Sequence, residues 1–170
     1  INEYTEKIYE DISGLKGYKI KYNPNINYDI FDSNLKFLLK NEYEGKINYD
    51  IKMSSTSMGP HKDDFEFYLN DKNLKLYGSQ GQQRLAVLAL KLSEVEIFKK
   101  YKNTTPILLL DDIFSELDIN KRNNLLKYIS KDIQTIITTT DLDNLDNLLI
   151  KKSKLFKIEN GKIQKIKEVS

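Results

Sequence analysis

Pro106-Ile107-Leu108-Leu109-Leu110-Asp111-Asp112 decides the fold. A run that is apolar at every position, opened by proline and closed by two carboxylates, reads as a central parallel strand rather than an edge. The carboxyl end of such a strand opens on the ligand crevice of an α/β sheet. Residues 119–130 read as an amphipathic helix, and Thr135-Ile136-Ile137-Thr138-Thr139 as a second buried strand. Strand, helix, strand in that order is the mark of an α/β fold.

Upstream lies Gly78-Ser79-Gln80-Gly81-Gln82-Gln83-Arg84, a small polar turn that runs into a helix from about Gln80 to Lys100. The first half of that helix, from Leu85 to Leu92, is apolar nearly all round, so it is expected to be buried on most sides. At 1.5 Å per residue it is about 30 Å long, enough to cross a sheet.

Outward from this centre the signals are more ordinary. Residues 2–13 read as a short helix stopped by Gly14, and Tyr18-Lys19-Ile20-Lys21-Tyr22 as an alternating strand stopped by Asn23-Pro24. Residues 33–53 read as a helix capped by Ser33 and weakened at Gly45. Phe65–Leu69 and Leu74–Tyr77, separated by Asn70-Asp71-Lys72-Asn73, read as a hairpin, and residues 142–150 as a short helix. Strands around Asn160-Gly161 read as a closing hairpin with a type I′ turn. The expected division is a helical arm over 1–53 and an ATPase-type lobe over 54–170, with the small-residue loop Ser54–Pro60 at the boundary.

Composition narrows the class. The 170 residues suffice for one domain with an appendage, and 39% hydrophobic with 31% charged residues fits a water-soluble globular chain. No apolar stretch approaches the roughly 20 residues that a membrane span requires, and no signal peptide opens the chain. Zero cysteines and one histidine exclude disulfides, thiolate metal sites and His-cluster zinc, and suit a cytoplasmic location. A net charge of +2 is too small to argue for nucleic acid. From Lys151 onward seven lysines face two glutamates, which reads either as a solvated strand face or as a DNA contact. The chain opens at Ile1 rather than methionine, which suggests a piece of something longer.

Two stretches carry chemistry. A carboxylate at the end of a parallel strand can hold Mg²⁺, which keeps most of its waters and prefers few carboxylates plus substrate phosphates. A neighbouring carboxylate can orient a water for in-line attack on a γ-phosphate. Taken alone, an apolar run ending in Asp111-Asp112 suits a structural or another catalytic role equally well. Ser79 is a good N-cap, Gly81 lets backbone approach an anion, and the helix N-terminus offers free N–H groups. An ordinary capped helix would look the same, but the three polar side chains Gln82-Gln83-Arg84 exceed what capping needs. His61, beside Lys62-Asp63-Asp64, reads as a hydrogen-bonded turn or as a loop near a nucleotide. The eleven tyrosines show no base-stacking pattern. No glycine-rich phosphate loop is found: Gly45-Lys46 and Gly161-Lys162 are followed by Ile47 and Ile163, never by Ser or Thr.

Together the motifs resemble a known family. Ser79-Gln80-Gly81-Gln82-Gln83 is similar to the signature motif of ABC-type ATPases, Ile107–Asp112 to their Walker B strand, and Ser115-Glu116-Leu117-Asp118 to their D-loop. With Gly59-Pro60-His61-Lys62-Asp63-Asp64 and Thr138-Thr139-Thr140-Asp141, the order resembles the C-terminal half of the RecF family, bacterial recombination-repair proteins of the SMC-like branch. The resemblance spans about residues 54–165.

It implies an α/β C-terminal lobe of an ABC/SMC-type ATPase head, mostly parallel sheet with packed helices and hairpins, plus part of a helical arm. It implies an ATP site shared between two subunits. Asp111 would help hold Mg²⁺, and Asp112, where glutamate is usual, would orient the attacking water. Ser79, Gln80, Gly81, Gln82 and Gln83 would grip the partner's ATP, Ser115 and Asp118 would line the dimer seam, and Thr139 and Thr140 stand where many ABC ATPases carry a switch histidine. Implied partners are double-stranded DNA, single/double-strand junctions and RecR, with RecO and RecA in the same pathway and the SOS response downstream. An ATP-dependent homodimer is implied, and no membrane. Lacking a phosphate loop, the 170 residues alone are expected to be inactive, and a free sheet edge or exposed apolar face is expected to remain. Two alternatives stand beside this: a non-enzymatic docking module for DNA or RecR, and the head of another SMC-like ATPase.

Overall fold

The computed structural model describes residues 1–26, 33–129, 133–140 and 153–168. The expected helix over 142–150 and Asp141 lie outside the described residues.

The core is built from helices. Helix α1 (Asn2–Ser13) turns its buried stripe of Thr5, Ile8, Tyr9 and Ile12 toward the long helix α4 (Gln80–Lys102) and toward α5 (Ile119–Ile129). Gly14, at φ 73°, ends α1 in the left-handed conformation that glycine adopts without penalty. Strand β1 (Tyr18–Asn23) follows, clamped to the first turn of α1 by Asn2, whose amide donates to Ile20 O (3.0 Å) while its Oδ1 accepts from Ile20 N (2.8 Å). Tyr9 and Tyr18 stack with centroids 4.4 Å apart, and the Tyr18 hydroxyl donates to Ala86 O in α4 (2.8 Å). The α4 face contributes Leu85, Ala86, Leu88, Ala89, Leu92 and Val95, and α5 closes the stack with Leu125, Leu126 and Ile129. Asn124 pins α5 to α1 by donating to Ile12 O (3.1 Å).

The described residues form three sheets. Strand β1 pairs antiparallel with β2 (Asp64–Leu69), which pairs in turn with β3 (Lys72–Asn73). Strands β4 (Leu108–Asp111) and β5 (Thr135–Thr138) form a parallel pair with Leu110 opposite Ile137 and Asp111 opposite Thr138. Strands β6 (Lys154–Glu159) and β7 (Lys162–Glu168) form a hairpin whose turn residues, Asn160 and Gly161, both have positive φ, as a type I′ turn requires. The α/β class holds, yet parallel pairing among the described residues is confined to β4–β5.

Three expectations need correction. First, Leu74–Tyr77 is not a strand. It forms a helical turn, α3, because Asn73 caps it by accepting from Lys75 N (2.9 Å) and Gly78 N closes it on Leu74 O (2.9 Å). The apolar-charged alternation of Leu74, Lys75 and Leu76 suits one helical turn as well as a strand. Secondly, helix α2 (Leu35–Met53) starts after Asn34 with no side-chain cap, so Ser33 does not cap it. Thirdly, β4 has β5 as its neighbour but no second neighbour among the described residues, so it is not central there. Helix α1 and strand β1 share the core of α4 and α5, while α2 has no buried residue along its 19 positions.

Candidate nucleotide-binding site

Two strand ends and one turn build the first half of the site. Strands β4 and β5 run parallel and in register, so Asp111 and Thr138 reach the carboxyl edge side by side. The Thr138 hydroxyl donates to Asp111 Oδ1. Leu108, Leu110 and Ile137 turn to the core, while Leu109, Asp111, Ile136 and Thr138 share the opposite, uncovered face by strand alternation. On that face Leu109 is 69% exposed and Ile136 54%.

Asp112 leaves the strand. Its φ of 46° and ψ of 27° are left-handed, a region that aspartate tolerates better than most residues but that still costs about 1 kcal/mol or more. Asp112 therefore does not simply face the other way along β4, because strand alternation ends at Asp111. Its N–H donates to Thr138 O (3.2 Å) and to Thr138 Oγ1 (3.1 Å), which fastens the bend to β5. Ser115 secures the far side, donating through its hydroxyl to Asp112 O (2.8 Å). A 3₁₀ turn over Ile113–Glu116 then leads to Asp118, which caps α5 by accepting from Lys121 N (3.0 Å) and pairs with Lys121 Nζ (2.6 Å). The Lys121 side-chain bond, then its backbone N–H, hold the Asp118 carboxyl below the usual carboxylate range. Thr139 is half-buried and Thr140 exposed just past β5.

The start of α4 supplies the second half. Ser79 and Gln82 form a capping box: Ser79 Oγ accepts from Gln82 N (3.3 Å), and Gln82 Oε1 accepts from Ser79 N (2.9 Å). Gln83 reaches backward, its Nε2 donating to Leu74 O (2.9 Å) and Gly78 O (3.1 Å). The view that these glutamines exceed the needs of capping is overturned, because both serve the turn on which the helix starts. Gln80 and Gly81 open the first turn, Gln80 fully at the surface. Among the described residues no hydrogen bond joins Ser79 or Gln80 to Asp111 or Asp112.

Between α4 and β4 runs an open apolar trough of about 670 Å³. Gln83 and Arg84 lie in its wall with Ile113, because α4 and β4 run in opposite directions and bring helix start and strand end to the same end. Val87, Phe98, Ile107 and Leu109 line the rest and remain exposed. This is the free edge and uncovered apolar face that the sequence led us to expect.

The donor set suits Mg²⁺. No cluster of three or more metal-ligating side chains occurs among the described residues. Mg²⁺ does not need one, since one or two carboxylates plus phosphate and water suffice. Asp111, exposed at a strand end and oriented by Thr138, is such a carboxylate. Gly45-Lys46 falls in the middle of α2 and Gly161-Lys162 in the β6–β7 turn, so neither is a loop between strand and helix. Thr138 reaches Asp111 through the parallel register of β4 and β5, which the spacing within neither strand contains.

The loop from Gly59 to Asp63 is bonded to Tyr22, Asn25 and Thr56. Asp63 accepts from the Tyr22 hydroxyl and from Asn25 N (2.8 Å), and these bonds hold its carboxyl below the usual range, the tyrosine bond most. The His61 ring lies 3.4 Å from Thr56 O, an anchoring contact within the turn.

No family model matches the chain. It is 42% identical over 167 residues to the DNA replication and repair protein RecF of Clostridium perfringens (strain 13), covering 96% of this chain and 45% of that protein. It is 40% identical over 166 residues to the RecF of Ligilactobacillus salivarius, covering 96% and 44%. The chain thus spans a little under half the length of the curated relatives it matches. Among solved structures it is similar to the recombination mediator protein RecF-ATPrS of the RecFOR pathway, with TM-score 0.69 and 34% identity over 98% of this chain and 43% of that one. The RecF-ATP form matches with TM-score 0.67. A chain from work on ATP-driven dimerization and DNA-stimulated activation of SMC ATPases shares the fold, with TM-score 0.50 and 17% identity. No helix among the described residues is long and apolar enough to cross a membrane.

Proposed function

The chain belongs to the RecF family and matches its C-terminal part, and from that premise we propose that it is half of an ATP-dependent DNA-repair clamp. One observation carries the reading. The carboxyl ends of β4 and β5 hold Asp111, Thr138 and Asp112 on one exposed rim, while Ser79 caps a separate helix start with no hydrogen bond to that rim. Two nucleotide motifs with no hydrogen bond between them among the described residues suit a site shared between two subunits.

In this proposal Asp111 holds Mg²⁺ and Thr138 orients the carboxylate. The ion, when bound, neutralises charge on the phosphoryl oxygens. Asp112 orients the attacking water. Its side chain is one methylene shorter than the usual glutamate, which favours slow turnover and a switch rather than a motor. Ser79, Gln80, Gly81 and Gln82, with the N–H groups of the first turn of α4, receive the γ-phosphate of the partner's ATP. Ser115 and Asp118 line the seam, and Thr139 and Thr140 border the nucleotide. ATP then glues a homodimer that clamps double-stranded DNA near single-strand junctions. There it acts with RecR and RecO to load RecA in gap repair, replication restart and the SOS response. The 170 residues alone are inactive, since the phosphate cradle comes from elsewhere.

The test is complementation in the longer protein. Ser79→Arg and Asp111→Ala are each expected to abolish ATP turnover. Mixed, they form dimers in which one site pairs an intact strand end with an intact signature motif. Turnover should return to about a quarter of the wild-type value in a symmetric dimer. Mixtures as inactive as their components would show that both motifs serve one nucleotide within a subunit. Asp112→Asn with unchanged turnover would remove the water-orienting role.

A further inference from the structure

We infer that Gln83 is a positioning residue, a clasp between α3 and α4 that presents Ser79 and the helix start as one rigid unit, and is not itself a ligand of the nucleotide. This deepens the shared-site reading and rests on it. The Gln83 amide nitrogen donates to Leu74 O (2.9 Å) and Gly78 O (3.1 Å) and lies 3.5 Å from Lys75 O. All three partners are carbonyls, which orients the amide with its nitrogen toward α3. An amide has two N–H groups, so both are committed behind the motif and none is left for an anion in front of it. Leu74 O already accepts from Gly78 N, so the amide adds a second bond to that carbonyl and a bond to Gly78 O, where a helix of one turn has no following turn to supply donors.

Gly78 completes the clasp. Its N–H donates to Leu74 O (2.9 Å), and a Cβ at this position would meet that same oxygen at 2.6 Å. Leu74 is buried in the core, so the clasp ties the signature turn to the interior. Ser79 is held from behind by Gly78 and Gln83 and from ahead by the Gln82 capping bond. The adjacent glutamines therefore divide their work: Gln82 shapes the helix end that faces the phosphate, and Gln83 fixes where that end stands.

Two measurements test this. In the 170-residue chain, Gln83→Ala should accelerate amide exchange at Gly78, Ser79 and Gln82 by about tenfold and leave Leu88 to Leu92 unchanged. Gln83→Lys, which keeps a donor on a side chain of similar reach, should restore most of the protection. Unchanged exchange at those three amides overturns the clasp. In the longer protein, Gln83→Ala should lower ATP turnover about tenfold with ATP affinity held within about twofold, and the Gln83→Ala/Ser79→Ala pair should be no slower than Ser79→Ala alone. Additive losses would mean that Gln83 touches the nucleotide itself, which overturns the inference. A silent Ser79→Ala would overturn the shared-site reading and the clasp's catalytic purpose with it. The exchange result distinguishes that failure from failure of the clasp.

Discussion

Thr138 and Asp111 stand opposite each other across the parallel β4–β5 pair, and the threonine hydroxyl donates to the aspartate carboxylate. The same Thr138 Oγ1 accepts from Asp112 N (3.1 Å), so one side chain orders both candidate acids. Hydrogen bonds behind a metal-binding carboxylate commonly set its affinity.

Thr138→Val keeps the shape of the side chain and removes the hydroxyl. In the longer protein it should raise the Mg²⁺ concentration for half-maximal ATP turnover by about 10- to 100-fold. A magnesium titration checks this, and an unchanged midpoint would leave Thr138 with a purely structural part.

Ser79→Ala removes an N-cap and should destabilise the chain by about 1 kcal/mol, read from the urea unfolding midpoint. Gln82→Ala breaks the same capping box, so the double variant should cost less than the two single losses added together. Full additivity would mean that the two bonds act independently.

The uncovered face of β4–β5 and the trough along β4 are apolar, with Leu109, Ile136 and Phe98 exposed. A parallel pair open on one face, with no third strand among the described residues, invites association. The chain should gain mass with concentration in sedimentation, and Leu109→Glu should hold it monomeric. A wild-type chain that stays monomeric at high concentration would contradict this.

Burial raises the Tyr9 hydroxyl to about 12 and carries Tyr18 higher still, with Tyr9 as a second cause. Unfolded tyrosine titrates near 10. A raised folded value means that stability is complete below about pH 10 and is lost as the pH climbs through about 12. Unfolding midpoints measured from pH 8 upward should fall in that window. Tyr9 Oη is buried without a hydrogen-bond partner, so Tyr9→Phe should be neutral or stabilising by up to about 1 kcal/mol at pH 7 and should flatten the alkaline loss. A destabilised Tyr9→Phe chain would point to a partner for the hydroxyl.

Much was legible where one local signal sufficed. Gly14 stops α1, Asn160-Gly161 turns the last hairpin, and the apolar first half of α4 is buried at Leu85, Ala86, Leu88, Ala89 and Leu92, with Val87 left exposed. At Leu74–Tyr77 four residues are too few for periodicity to separate a helical turn from a strand. Its caps, Asn73 and Gly78, decide the matter through hydrogen bonds and not through periodicity. The Ser79-x-x-Gln82 spacing did carry a capping-box signal, which was overshadowed by the motif around it.

Motif order along the chain established the family-level resemblance, because strand-end carboxylates and a capped glycine-bearing turn are local features encoded by consecutive residues. Tertiary structure alone decided which groups meet. Asp111 finds Thr138 only because two strands 27 positions apart align in parallel register. Tyr18 reaches Ala86 only because β1 folds back over α4. Gln83 turns away from the helix start because the carbonyls of α3 lie within its reach. Contacts between distant segments depend on packing geometry, which the spacing within any one segment does not contain.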